Sequence, residues 1–325
     1  MSAAMVMIRL FALVCLTLAA CFAPLTGAQA KEDRRIALTF DDVPRMAGAF
    51  MTADDRATRL RSALREAGVG QAAFFVNPGM LAKRPTGLDH IRAYAADGHV
   101  IANHTALHSS LSESTLAEFI ADIDSASRFL DTIENTRPWF RFPYLDEGRA
   151  DAARRDAVRA ALAERGLLNG YVTVDASDWF YEQLTIDAAR DGKRMDMIGL
   201  RNLYAESHVE AAEFNYALAR NAVGYSPAHV MLLHETDLAA LFIGDLVVAL
   251  ERAGWTIISA DEAYADPFGR YAASYDTPSA QGTLTEQVAW QAGLPAPRWY
   301  ARNNTELAAR EFRTRVLGEP AGPEG

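Results

Sequence analysis

The segment Ile36-Ala37-Leu38-Thr39-Phe40-Asp41-Asp42 joins a short β-rich run to two adjacent carboxylates. Adjacent strand side chains point to opposite faces. For both carboxylates to reach one pocket the chain must turn out of the sheet here, and Pro44 disfavours continuation of a regular central strand. Outward from this point, β-rich runs alternate with longer helical patterns from residue 35 to about residue 260, as when parallel strands are joined by helical crossovers. Seven strands are predicted: Ile36–Phe40, Ala72–Val76, His99–Asn103, Trp139–Phe142, Tyr171–Val174, His229–Leu233 and Trp255–Ser259. Helical periodicity covers Asp55–Ala67, Thr115–Leu130, Ala150–Glu164 and Leu238–Ala253, with Thr115 and Glu118 spaced as a capping box. Seven β/α units suggest an incomplete barrel, and the strand-free stretch from Tyr181 to about Val223 predicts a helical insertion between strands 5 and 6.

The whole chain has 325 residues, 50% hydrophobic and 23% charged, which is normal globular proportion. Its 32 basic and 42 acidic residues give a formal charge of −10, and no block of five Lys/Arg occurs, which argues against electrostatic nucleic-acid binding. Residues 1–30 read as an export signal: Arg9 precedes a largely apolar stretch, Leu10 to Leu25, shorter than the roughly 20 residues of a spanning helix. Cleavage is expected after Ala30, at Ala28-Gln29-Ala30. A lipoprotein box at Leu18-Ala19-Ala20-Cys21, anchoring the chain through Cys21, is the competing reading. The expected location is periplasmic or secreted. Both cysteines, Cys15 and Cys21, fall in this leader, so the chain cleaved after Ala30 has no disulfide, thiol nucleophile or cysteine-ligated zinc. A catalytic domain is expected over 31–268. A C-terminal extension over 269–325 follows, with helical patterns at Leu284–Ala292 and Thr305–Val316 and a disordered end from Gly318.

The polar clusters fall at strand ends. His104-Thr105-Ala106-Leu107-His108 carries two imidazoles four apart, which a helical turn would put on one face about 6 Å apart. Two histidines and a carboxylate with an open position are a common way to hold a catalytic divalent ion. The fourth strand ends in Arg141-Phe142-Pro143-Tyr144, the fifth in Asp175-Ala176-Ser177-Asp178-Trp179, and the sixth in Leu232-Leu233-His234-Glu235. Singly, each has a bland alternative: a surface charge, a helix cap beside a core aromatic, a satisfied core histidine. Together they occupy the carboxyl-end face on which barrel enzymes assemble their sites.

The ordered set TFDD, HTALH, RFPY, DASDW and LLHE resembles the signature motifs of the polysaccharide deacetylase family, also called the NodB-homology domain or carbohydrate esterase family 4. The resemblance covers residues 35 to about 265 and implies an α/β fold, a distorted (β/α)7 barrel, and metal-dependent removal of acetyl groups from sugar polymers. Position by position it implies Asp42, His104 and His108 as metal ligands and Asp41 as general base. Arg141 would hold Asp41 ionised, and the backbone N–H of Tyr144 would share the oxyanion. His234 would be the general acid oriented by Asp178, and Trp179 an apolar wall for the acetyl methyl that also helps to pack His234. The implied cofactor is a divalent metal, zinc first, with cobalt, nickel or iron also compatible with Asp-His-His. The implied partner is an acetylated glycan.

This chain departs from the family pattern where glycines usually follow the paired aspartates and the tyrosine: Val43-Pro44 and Leu145 stand there, which predicts narrower loops beside the site. His90, His99, His208 and His229 have no motif around them and are assigned to structure or surface, and Glu235 to a charge partner. Two other functions compete with the deacetylase: a cyclic-amide hydrolase on the same fold, which an export signal disfavours, and a glycan-binding protein without turnover, which the intact acid, base and ligand set disfavours.

Overall fold

In a computed structural model of the protein, residues 34–320 are described. The predicted leader with its two cysteines, and the last five residues, lie outside them. β1 (Arg35–Val43) is buried from Ile36 to Asp41, because it has neighbours along both edges and layers above and below. The chain then alternates: α1 (Ala53–Glu66), β2 (Ala73–Val76), α2 (Gly87–Ala96), β3 (Val100–Asn103), α3 (Leu116–Leu130), β4 (Thr136–Phe140), α4 (Ala152–Glu164) and β5 (Leu168–Asn169). Two helices, α5 (Asp178–Arg190) and α6 (Met197–Val223), separate β5 from β6 (His229–His234). Then come α7 (Asp237–Arg252), β7 (Thr256–Ile257), α8 (Ala260–Tyr264), α9 (Leu284–Gln291) and α10 (Thr305–Arg315). The described residues form one compact unit, with α9 against α6, and α10 against α5 and α6.

All strand pairs are parallel, in the order β5-β4-β3-β2-β1-β6, with β7 on the amino-terminal end of β1. Beyond β5 the chain meets β6 through a parallel bridge between Val174 and Met231, which curls the sheet into the distorted (β/α)7 barrel. The helices cover it by their apolar stripes. Leu60 and Leu64 of α1, and Leu246 and Leu250 of α7, are fully buried, each contributing roughly 1.5–3 kcal/mol by burial. Thr115 and Glu118 form the predicted capping box of α3.

Two local expectations need correction. The strand expected at Tyr171–Val174 is instead the two-residue β5, at Leu168–Asn169. The N–H groups of Thr173 and Val174 both go to the single carbonyl of Val230, so the ladder is irregular where the sequence pattern is apolar. Gly170 sits between the two segments, so close to Phe75 that a Cβ would lie 2.6 Å from its ring. The second correction is at Asp42. β1 does not leave the sheet there but runs on to Val43, which pairs with Val76 across a register shift after Phe40. Asp42 takes φ 64° within that bulge, re-aiming its side chain so that both carboxylates meet one pocket.

Candidate active site

The motif residues sit at the carboxyl ends of the strands or in the loops that leave them, with Asp178 and Trp179 in the first turn of α5. Asp41 is 2% exposed, and its Oδ1 accepts from Arg141 Nη1 at 2.5 Å. The Arg141 side chain is itself 1% exposed and has a partner at each of its three nitrogens. Nε donates to the Gly170 carbonyl at 2.7 Å, Nη1 also to Thr39 Oγ1 at 2.9 Å, and Nη2 to the Tyr264 hydroxyl at 2.7 Å. The Phe75 ring lies 3.8 Å beneath its central carbon. A cation so fixed keeps Asp41 oriented, with Oδ2 turned toward His104 Nε2 at 3.6 Å.

Asp42, His104 and His108 converge, one donor atom from each lying within 4.8 Å of the others. Asp42 Oδ1 is 2.9 Å from His108 Nε2 and 3.6 Å from His104 Nε2, yet it is buried with no hydrogen-bond partner. Burial opposes the charge on Asp42, and the imidazoles of His104 and His108 outweigh it, holding the carboxyl well below its ordinary range. His104 Nδ1 lies 2.9 Å from the Arg141 carbonyl, which can only accept, so Nδ1 carries the proton and Nε2 offers its lone pair to the cluster. An oxygen and two nitrogens aimed at one point, with an orphaned carboxylate oxygen among them, fit a divalent cation.

The two histidines do not meet through a helical turn, as the four-residue spacing predicts. Residues 104–108 form a loop in which Thr105 (φ 61°) and His108 (φ 59°) are left-handed. Its polar backbone is tied down by side chains from three elements. Asn77 Nδ2 donates to the carbonyls of His104 (2.5 Å) and Thr105 (3.1 Å). Asn103 Oδ1 accepts from Thr105 N at 2.9 Å, and Asp122 Oδ1 from Ala106 N and Leu107 N at 3.1 and 3.0 Å. Of nine non-glycine residues with positive φ among the described residues, six belong to this site: Asp42, Thr105, His108, Tyr144, Leu145 and Ser177. Such conformations cost of order 1–3 kcal/mol each and persist where surroundings over-determine them. Asn77→Ala strands two buried carbonyls and is expected to lower stability by about 1–3 kcal/mol, read as a shift in the urea midpoint. An unchanged midpoint would show that the loop holds itself.

On the opposite side, His234 Nδ1 meets Asp178 Oδ1 at 2.6 Å, and His234 N donates to Asp178 Oδ2 at 2.8 Å. Burial opposes the imidazolium, but the Asp178 charge and hydrogen bond prevail and push His234 up to about 9. Asp178 opens α5 behind Ser177, whose left-handed φ of 52° turns the chain into the helix. Asp175 is pushed up to about 6, by burial and then by the nearby Asp178 charge, against the Ser177 N–H it accepts. Tyr144 follows Pro143 in the left-handed region (φ 58°), its ring edge-on to His108 at 4.5 Å. Leu145, standing where a glycine is usual in the pattern, adopts φ 51° all the same. Trp179 is 43% exposed and packs against Phe180 at 5.5 Å, the ring contact found for it among the described residues.

Several residues with a part in this geometry were not singled out in the sequence. Arg45 Nη1 holds Asp42 Oδ2 at 2.7 Å, and Tyr264 relays from Arg141 to the Tyr171 carbonyl at 3.0 Å. Asn77 and Asp122 carry no motif; their only sequence signal is polarity at a strand end and on a helix stripe that is otherwise apolar. Glu235 is a charge partner as expected. Fully buried, it accepts from the Tyr94 hydroxyl (2.8 Å) and Arg45 N (2.9 Å), near the Arg56 guanidinium. The other histidines are bound elsewhere: His90 to Asp54, His99 to Ala72 N, His208 to the Tyr204 carbonyl and His229 to Thr173.

Residues 28–165 match the family described as polysaccharide deacetylase, a span covering β1 to α4. Among solved structures, a family 4 carbohydrate esterase from Streptomyces lividans in complex with acetate is 21% identical. It aligns over 71% of this chain and 95% of its own, with a TM-score of 0.46. Peptidoglycan deacetylase PdaC from Bacillus subtilis is 18% identical over 72% of this chain and 91% of its own, at 0.46. A mutant of a CE4 family pseudoenzyme from Bacillus anthracis is 15% identical over 72% and 68%, at 0.50, a likeness of fold. No curated protein matches the sequence. The matched segment lies on the first four strands, and the remaining signature residues are brought to the same end of the barrel, so residues 28–165 are recognised as a polysaccharide deacetylase, or NodB-homology, segment.

Proposed function

We propose that this protein is an exported, divalent-metal-dependent deacetylase that hydrolyses acetyl groups, N-acetyl first, from a polysaccharide. The observation that carries the reading is the convergence of Asp42, His104 and His108, flanked by an Arg-held Asp41 on one side and an Asp-held His234 on the other. Asp42 Oδ1, His104 Nε2 and His108 Nε2 would hold the ion, zinc first. When bound, such an ion lowers the pKa of water toward 7 and polarises a carbonyl oxygen. Asp41 then takes a proton from the attacking water through Oδ2, the oxygen that Arg141 leaves free. The backbone N–H of Tyr144 shares the negative charge that develops on the acetyl oxygen. As the bond from carbonyl carbon to nitrogen breaks, His234, protonated at neutral pH, gives its proton to the departing amine, and acetate leaves. Asp178 orients that imidazole, and Trp179 offers an apolar wall at the mouth.

Export rests on the leader: Arg9, the apolar run to Leu25 and the Ala28-Gln29-Ala30 site. No helix among the described residues is long and apolar enough to cross a membrane. The test is acetate release from N-acetylglucosamine oligomers, peptidoglycan and acetylxylan by protein stripped of metal and then reloaded with zinc or cobalt. Stripping is expected to abolish release and reloading to restore it. Elemental analysis is expected to find one ion per chain, lost in His104→Ala. Stoichiometric metal without acetate from any glycan would overturn the deacetylase in favour of glycan binding without turnover.

A further inference from the structure

Directly beside Asp42 and His108 lies a cleft of about 320 Å³, walled by the loop that follows β1, the segment before α2, and α5. Its lining holds three guanidinium groups, from Arg45, Arg56 and Arg84. Two of them are answered. Arg45 donates to Asp42 Oδ2 at 2.7 Å, and Arg56, 1% exposed, faces Asp237 at 3.4 Å and Glu235 at 3.8 Å while donating to the carbonyls of Met46 and Arg45. Arg84 is not answered: among the described residues no carboxylate pairs with it, and its buried Nε has no hydrogen-bond partner. Burial and then the neighbouring Arg45 charge disfavour its cationic form, and the more distant charges of Glu235 and Asp42, which favour it, do not make up the difference.

Glu182, the remaining carboxylate on this wall, does not supply it. Both its oxygens are turned to the start of α7, accepting from Asp237 N and Leu238 N at 3.2 Å each, and burial pushes its carboxyl up to about 7. Met46, Met80 and Ile186 complete the cleft with apolar surface. A guanidinium presents a planar fork that matches a carboxylate two bonds at a time. The net charge of −10 does not cancel this, because distant charges are screened over about 8 Å in physiological salt whereas the cleft groups are adjacent.

Resting on the deacetylase reading, we propose that this cleft is a subsite for a carboxylate on the glycan, with Arg84 as its recognition residue and Arg45 beside it. The substrate is then an acidic glycan whose acetylated sugar bears, or adjoins, a uronate or a lactyl-ether carboxylate. Neutral acetylated chains fill the cleft without answering Arg84.

The test uses two matched pairs with the metal-loaded protein: an N-acetylated, uronate-containing oligosaccharide against its carboxyl-reduced form, and N-acetylmuramic-acid-containing oligomers against N-acetylglucosamine oligomers. Acetate release and calorimetric binding are both measured. The carboxylate member of at least one pair is expected to be favoured about 10- to 100-fold in kcat/KM, carried mainly by KM. The pair that shows it names the carboxylate. Arg84→Gln should make the two members equivalent, and Arg84→Lys, which keeps charge but not the fork, should keep part of the preference. Equal rates and equal binding in the unaltered protein, or a preference that survives Arg84→Gln, would overturn the subsite and leave the deacetylase standing. Arg84-dependent binding of the carboxylate form with no acetate released would sustain the subsite and overturn the deacetylase. Neither binding nor release would remove both.

Discussion

Asp41→Asn is expected to lower kcat for acetate release by about 10²–10⁴-fold and to destabilise the fold by about 3–5 kcal/mol. The two losses have separate causes. The catalytic one follows because a carboxamide cannot take the proton of the attacking water. The structural one follows because Arg141, 1% exposed, keeps its bonds to Gly170, Thr39 and Tyr264 but loses the one charge that balances it. Metal content should stay at one per chain, since Asp41 is not among the three converging donors. Urea melts, elemental analysis and acetate release on the same preparation separate the effects. Full activity in Asp41→Asn would remove Asp41 from the base role, and an unchanged urea midpoint would show that the arginine is neutralised elsewhere.

Asp178→Asn is expected to act through pH. In the intact protein His234 is held at about 9, so an acid step that uses its proton is fully supported at neutral pH and fails as pH rises through about 9. Without the Asp178 charge, burial is the leading influence left and drives the imidazole to or below its ordinary value of about 6.5. At pH 8 the protonated fraction then falls about thirty-fold, whereas at pH 6 the change is small. The alkaline limb of kcat therefore moves down by more than two pH units, which a mere packing defect would not do. A limb that stays near pH 9 would show that Asp178 does not set the acid. Stability follows the same sign. Because the folded pKa is raised, the stabilisation from this pair is fully present below pH 6.5 and is lost as pH rises through about 9.

Much of the architecture was legible in the chain because it rests on short-range rules. The capping box at Thr115 and Glu118, the apolar stripes of α1 and α7, and the alternation of strand and helix follow from residue type and period, which neighbouring residues alone define. The failures are equally local in form but tertiary in cause. Tyr171 to Val174 is as β-prone as any strand, yet its ladder is broken by how closely Gly170 must pass Phe75 and by two N–H groups sharing Val230. His104 and His108 have helical spacing, yet side chains of Asn77, Asn103 and Asp122 impose a left-handed loop that their own five residues do not encode.

The amino-acid sequence by itself determined which chemistry is available: paired carboxylates, two imidazoles, an arginine and an aspartate–histidine pair, each at the end of a strand, where a parallel barrel gathers its loops. Only the tertiary structure decided how these groups are paired. Asp41 and Arg141 are 100 residues apart and meet because strand register brings them together. Asp42 reaches the same pocket as Asp41 because a bulge reverses it, against the alternation of a regular strand. Among the described residues Arg84 is left without a paired carboxylate, because Glu182 and Glu235 direct their oxygens to Asp237 N, Leu238 N, Tyr94 and Arg45 N. Residue type and period are properties of neighbours along the chain. Charge balance is a property of neighbours in space, and it exists only once the barrel has closed.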